Sequence, residues 1–90
     1  MAFLKTDLNS TSWTLIGPNV TVMSFQNIGQ SPIYISVTAN TAPPSANTVG
    51  WLYDVYQAEL KINPGSLVVN PGTYVWARAV SNSGRIITEL

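Results

Sequence analysis

Asp54 and Glu59 are the pair of residues in this 90-residue chain whose type and spacing invite a catalytic reading. Two carboxyl groups held about 5–10 Å apart can divide the acid, base and nucleophile roles of glycoside cleavage. The plainer reading, that both are solvated residues at strand ends, is preferred. The chain has neither histidine nor cysteine, so a Ser-His-Asp arrangement lacks its imidazole and a cysteine nucleophile lacks its thiol. The same absence removes thiolate and imidazole metal sites and leaves only Asp7, Asp54, Glu59 and Glu89 as side-chain carboxylates. Nucleotide-binding and metalloprotease motifs are missing. The glycines read as turn residues selected for positive φ. The expectation is a protein that is not an enzyme, with no catalytic residue, no cofactor and no metal.

The aromatic residues are the stronger functional candidates. Trp13, Trp51 and Trp76, with Tyr34, Tyr53, Tyr56 and Tyr74, can be read as a stacking platform for a glycan. They can equally supply core and subunit contact, since Trp and Tyr dominate buried interface area; this second reading is preferred. Arg78 shares a strand phase with Tyr74 and Trp76. Two readings of it stand side by side: a stem packed on Trp76 with its head in solvent, or an intersubunit salt bridge. The residues expected at a protein interface are Phe3, Leu4, Leu8, Tyr34, Trp51, Tyr53 and Arg78.

Composition points the same way. Only 9% of the chain is charged and 46% is hydrophobic, against about 25% charged in a typical soluble domain. Ser, Thr, Asn and Gln fill the shortfall with 29 residues. Such a surface dissolves, yet loses little hydration energy when another protein covers it. Lys5, Lys61, Arg78 and Arg85 balance the four acids to zero net charge. Four scattered cations do not make the basic stripe that nucleic acid requires, and near-neutral copies repel one another weakly. A domain this short buries only roughly 60–65% of its unfolded surface. Without disulfides or metal, oligomerisation is the expected source of added stability, with a trimer the preferred order. Met1 to Ser10 does not read as a secretory signal, no run approaches a membrane span, and the sequons at Asn9 and Asn19 read as chance matches in a chain rich in Asn, Ser and Thr.

The elements that would position these residues follow a period of two, broken by turn residues, which predicts an all-β domain. Residues 1–11, with Phe3, Leu4 and Leu8, read as an N-terminal arm that the fold does not need. Residues 12–90 read as a single compact β-sandwich, jelly-roll or immunoglobulin-like. Strands are predicted over 12–16, 20–27, 33–38, 67–69, 73–80 and 85–90, with Ser81–Gly84 closing a hairpin. The stretch 51–62 suits a short helix or a strand that changes phase at a bulge; strand is preferred for its aromatic and β-branched content. Asn63-Pro64-Gly65 and Asn70-Pro71-Gly72 repeat a type II turn signature. The arm and the final strand also read as elements for strand exchange with a neighbour.

Two segments carry a resemblance. Val22-Met23-Ser24-Phe25-Gln26-Asn27-Ile28-Gly29-Gln30-Ser31-Pro32-Ile33-Tyr34-Ile35 and Pro71-Gly72-Thr73-Tyr74-Val75-Trp76-Ala77-Arg78-Ala79 resemble strands of small tailed-bacteriophage virion proteins, β-sandwiches that decorate capsids or serve as head-fibre and tail accessory parts. The resemblance implies a late structural protein of the virion, made in the host cytoplasm. Its partners would be the major capsid protein or other virion subunits. On this reading many weak contacts repeat over a lattice, and the arm reaches a neighbour. A tail or baseplate accessory and a carbohydrate-binding receptor-recognition module are the alternatives.

Overall fold

The strongest period-two segment, Ile33–Thr38, sets the pattern for the whole architecture: Ile33, Ile35 and Val37 are buried, while Tyr34, Ser36 and Thr38 face the other way. The computed structural model describes residues 3–20, 22–45, 50–63 and 74–90. Within them lie eight strands: β1 (Phe3–Asn9), β2 (Thr14–Gly17), β3 (Met23–Asn27), β4 (Ile33–Thr38), β5 (Trp51–Tyr53), β6 (Ala58–Ile62), β7 (Tyr74–Ala79) and β8 (Ser83–Glu89). They form two antiparallel sheets. The first runs in the order β1-β8-β3-β6 and the second β2-β7-β4-β5.

Each strand in the first half of the chain has a counterpart in the second: β1 pairs with β8, β2 with β7, β3 with β6 and β4 with β5. The chain is thus a long ribbon doubled back at the β4–β5 connection. Additional pairing of β3 with β8 and of β4 with β7 rolls that ribbon into two layers. Every connection except β4–β5 passes from one sheet to the other. The apolar side of each strand must therefore keep facing inward after each crossing.

The core between the layers draws Leu8, Met23, Phe25 and Ile86 from the first sheet. The second contributes Ile16, Ile33, Ile35, Val37, Tyr53, Val75, Ala77 and Ala79. Burying a large apolar side chain contributes about 1.5–3 kcal/mol. Large and small residues alternate across the centre: Ile33 lies opposite Ala79 and Ile35 opposite Ala77. Gly84 belongs to this packing. A Cβ there would stand 3.1 Å from the Ile33 side chain and 3.4 Å from Ala79, so its bare backbone lets β8 approach the second sheet.

Four expectations from the sequence change. Most of the stretch read as an arm is strand: β1 pairs with β8 from Phe3–Glu89 to Asn9–Ser83 without a break. Leu8 sits in the core at 3% exposure, because alternation along β1 points it inward opposite Gly84. The fold therefore depends on this segment. The Ser81–Gly84 stretch does not close a hairpin, since β7 and β8 lie in different sheets; Asn82, at φ 55°, turns a corner between layers. The phase change within 51–62 is likewise a crossing, from β5 in the second sheet to β6 in the first. Finally, no described glycine has positive φ, and Gly17, Gly29, Gly50 and Gly84 mark close approaches where a Cβ would collide or crowd. The 67–69 strand and both Asn-Pro-Gly turns fall largely or wholly outside the described residues.

One polar side chain ties the layers together. Asn27, at the end of β3, has no exposed surface. Its Nδ2 donates to the carbonyls of Ser31 (3.0 Å) and Tyr53 (3.2 Å). Its Oδ1 accepts from Gly29 N–H at 3.0 Å. Its backbone N–H donates to Gln57 O, and its own carbonyl accepts from Tyr56 N–H. Asn27→Asp keeps the shape, removes donors and sets a carboxylate against two carbonyls. Chemical denaturation at neutral pH is expected to show a loss of about 2–4 kcal/mol, shrinking in acid as the carboxyl regains a proton. A loss below about 0.5 kcal/mol would show that the network is not what holds this corner.

Candidate functional site

No residue pair in the described chain assembles an obvious catalytic constellation, and the two acids singled out by spacing have local duties. Asp54 Oδ1 accepts from Val55 N–H at 2.8 Å, within the turn that joins β5 to β6. Glu59 Oε1 accepts a long bond of 3.4 Å from the Tyr53 hydroxyl. The outer faces of the two sheets differ in what they expose.

The outer face of the second sheet carries the aromatic residues. Tyr34 on β4 lies directly opposite Arg78 on β7, and Ser36 opposite Trp76. The β1–β2 connection brings Trp13 to the same place. The Arg78 guanidinium lies over both rings, 5.1 Å from the Trp13 centroid and 5.2 Å from that of Tyr34, and its Nη1 donates to Ser10 O at 3.2 Å. Trp13 Nε1 donates to Ser45 O at 3.1 Å and Trp76 Nε1 to Thr38 Oγ1 at 2.8 Å. Both indoles are buried. This face is therefore sealed by its own aromatic groups. The head of Arg78 is stacked between Trp13 and Tyr34, in place of an arrangement over Trp76 with the head in solvent.

The outer face of the first sheet is open. Phe3, Ala58, Leu60 and Ile87 line a shallow groove of about 280 Å³, with Ser24 and Gln26 on its floor. Phe3 is 69% exposed and Leu60 75%. A second hollow of about 220 Å³, lined by Val22, Lys61, Glu89 and Leu90 among others, shares Ser24 and Glu89 with it. Trp51 and Leu52 on β5, and Tyr56 in the following turn, form a further exposed group at the edge of the second sheet.

The residues expected at an interface thus divide. Phe3, Leu4 and Trp51 are exposed; Tyr34 and Arg78 are partly buried partners of each other. Leu8 and Tyr53 are core residues, not exposed ones. Tyr53 is 7% exposed and meets Phe25 edge to face, with ring centroids 5.0 Å apart. Tyr53 is the third residue of β5 and points inward opposite Ile33. Leu60 was missed as a contact residue. Period two alone would set Leu60 and Ile62 on one face; the register shift opposite Met23 and Phe25, with Lys61 at φ 54°, separates them, so that Leu60 faces outward while Ile62 packs against the core.

Burial, the charge of Glu59 and the hydrogen bond to it push the Tyr53 hydroxyl up to about 12, from about 10 in an unfolded chain. The folded state thus keeps a proton that the unfolded chain releases. Stability from this group is complete below pH about 10 and declines as pH climbs to about 12. Tyr53→Phe is expected to flatten the fall in melting temperature across that window; parallel curves for the two proteins would contradict the assignment. For Arg78, loss of the stacked guanidinium in Arg78→Met is expected to cost about 1–2 kcal/mol in urea unfolding. Arg78→Lys should recover little, because the ammonium lacks the planar fork; full recovery would assign the effect to charge alone.

No family model, curated protein or solved structure matches this chain.

Proposed function

We propose that this protein is a structural subunit of a tailed-bacteriophage particle, a jelly-roll domain that attaches in many copies to the head as a decoration protein. The strand order carries the reading. Eight strands paired first with last, in the orders β1-β8-β3-β6 and β2-β7-β4-β5, match a rolled double Greek key, an architecture shared by viral capsid and lectin domains. An immunoglobulin arrangement would instead set the first strand beside the second; here β1 neighbours β8.

Architecture alone does not assign function, so the surface must carry the rest. Zero net charge and few charged groups suit a subunit that packs among copies. The open groove beside Phe3 and Leu60 offers apolar area to a neighbour. The mechanism is mechanical: a rigid two-layer domain covers joints between capsid subunits, and its weak contacts add over the lattice. A glycan-binding reading, the second choice, draws support from the exposed rings of Trp51 and Tyr56.

Quantitative mass spectrometry of density-banded particles, from the lysate in which the protein is produced, tests the proposal. Peptides of this chain at a fixed ratio to the most abundant particle protein are expected, and separation of heads from tails should leave them with the heads. Recovery with tails would favour an accessory role there. Recovery only in the particle-free supernatant would overturn the reading.

A further inference from the structure

The two sheets have four edges among the described strands, and three of them are poor templates for further pairing. β5 is three residues long. β2 is four, with a register shift between Leu15 and Gly17 and Pro18 directly after it. β6 has a register shift opposite Met23 and Phe25, and Lys61 within it stands at φ 54°. Shortness, bulges, proline and edge charges are the usual devices that stop a sheet edge from recruiting another chain. β1 has only the last, and its two charges, Lys5 and Asp7, are of opposite sign. Its seven residues, Phe3–Asn9, pair in unbroken register with β8 on one side, and no described strand lies on the other.

We propose that β1 is a homodimerisation edge: two copies pair their β1 strands antiparallel about a two-fold axis at Thr6, joining their first sheets into one eight-stranded sheet. The occupant follows from the sequence of the strand. Directly opposed residues in antiparallel pairs share a face, and a two-fold axis at Thr6 sets Lys5 of one copy opposite Asp7 of the other, twice. Both side chains are exposed and on the outer face. Sliding by two residues in one direction opposes Lys5 to Lys5, and in the other Asp7 to Asp7. Slides by one residue set inward positions against outward ones. Charge thus selects a single self-complementary register, as an isologous contact requires.

The same register accounts for a misplaced side chain. Leu4 lies on the core-facing side of β1, in phase with Leu8, yet is 59% exposed. Pairing about Thr6 sets it beside Leu8 of the second copy, at the rim of that copy's core. Asp7 already holds Arg85 of its own chain at 2.8 Å, so each end of the seam becomes a Lys–Asp–Arg group. Strand-to-strand contact is at the small end of interface sizes, and dimerisation is accordingly concentration-dependent. The inference is independent of any role in a virion.

Sedimentation velocity over a dilution series up to about 1 mM tests it. The native protein is expected to pass from monomer to dimer. Lys5→Glu and Asp7→Lys should each weaken self-association at least about tenfold, since each sets like charges across the seam. Mixed in equal amounts, the two variants should restore it. In the mixed seam the introduced glutamate of one variant meets the introduced lysine of the other, and the remaining native Asp7 meets the remaining native Lys5. Melting curves confirm that both variants fold; the sites are exposed, and the ion pair lost in Asp7→Lys lies at the surface, where such pairs contribute little. A native protein that stays monomeric, single variants that dimerise as the native does, or a mixture that remains monomeric would each overturn the proposal.

Discussion

The hydrophobic effect is non-directional, so a sandwich gains its alignment from groups whose geometry admits only one. In this protein the strictest of them is the buried Asn27 amide. It spans the layers, since β3 belongs to the first sheet and Tyr53, whose carbonyl it binds, ends a strand of the second. It also closes the turn to β4 through Ser31 and Gly29, while its backbone holds the β5–β6 turn at Tyr56 and Gln57. A buried amide left short of partners costs far more than a satisfied one contributes. Any shift of one layer against the other, or of either corner, breaks several of these bonds at once.

Close approach is the second constraint, and the residues that permit it are small. Ala77 and Ala79 on β7 sit beside Ile35 and Ile33, and Gly84 brings β8 against them. Gly29 fulfils the same role at the Asn27 corner, where a Cβ would stand 2.8 Å from the Arg85 nitrogen. Ile28 and Gly29 both donate to the Arg85 carbonyl, so the corner between β3 and β4 is fastened to β8. Interiors pack at crystal-like density, and bare backbone is what allows strands from different layers to touch.

These internal constraints leave unequal surfaces. On the second sheet, Trp13 folds over Arg78 from the β1–β2 connection and meets Tyr34 across it, so aromatic groups that would have made a ligand platform serve as a cover. Among the described residues the first sheet has no such cover: the groove at Phe3, Ala58, Leu60 and Ile87 and the long edge of β1 lie on its outer side and flank.

How far the sequence alone reached can be judged strand by strand. Alternation at Ile33–Thr38 and at Tyr74–Ala79, the turn residues and the missing histidine and cysteine determined an all-β chain and a restricted chemistry, because period-two burial and side-chain chemistry are local properties. The inward face of β4 was legible for that reason. Which strands pair, and in which layer, was not. Leu8 in an apparent arm, the Ser81–Gly84 stretch and the phase change within 51–62 all looked like local features, and each turned out to be a crossing or an edge defined by a partner far along the chain. Arg78 shows the same limit, since the rings that clasp it come from positions 13 and 34. Pairing depends on long-range burial and hydrogen bonding between segments that only meet when the ribbon rolls up, and so tertiary structure alone decided which aromatic groups are buried and which apolar ones remain outside.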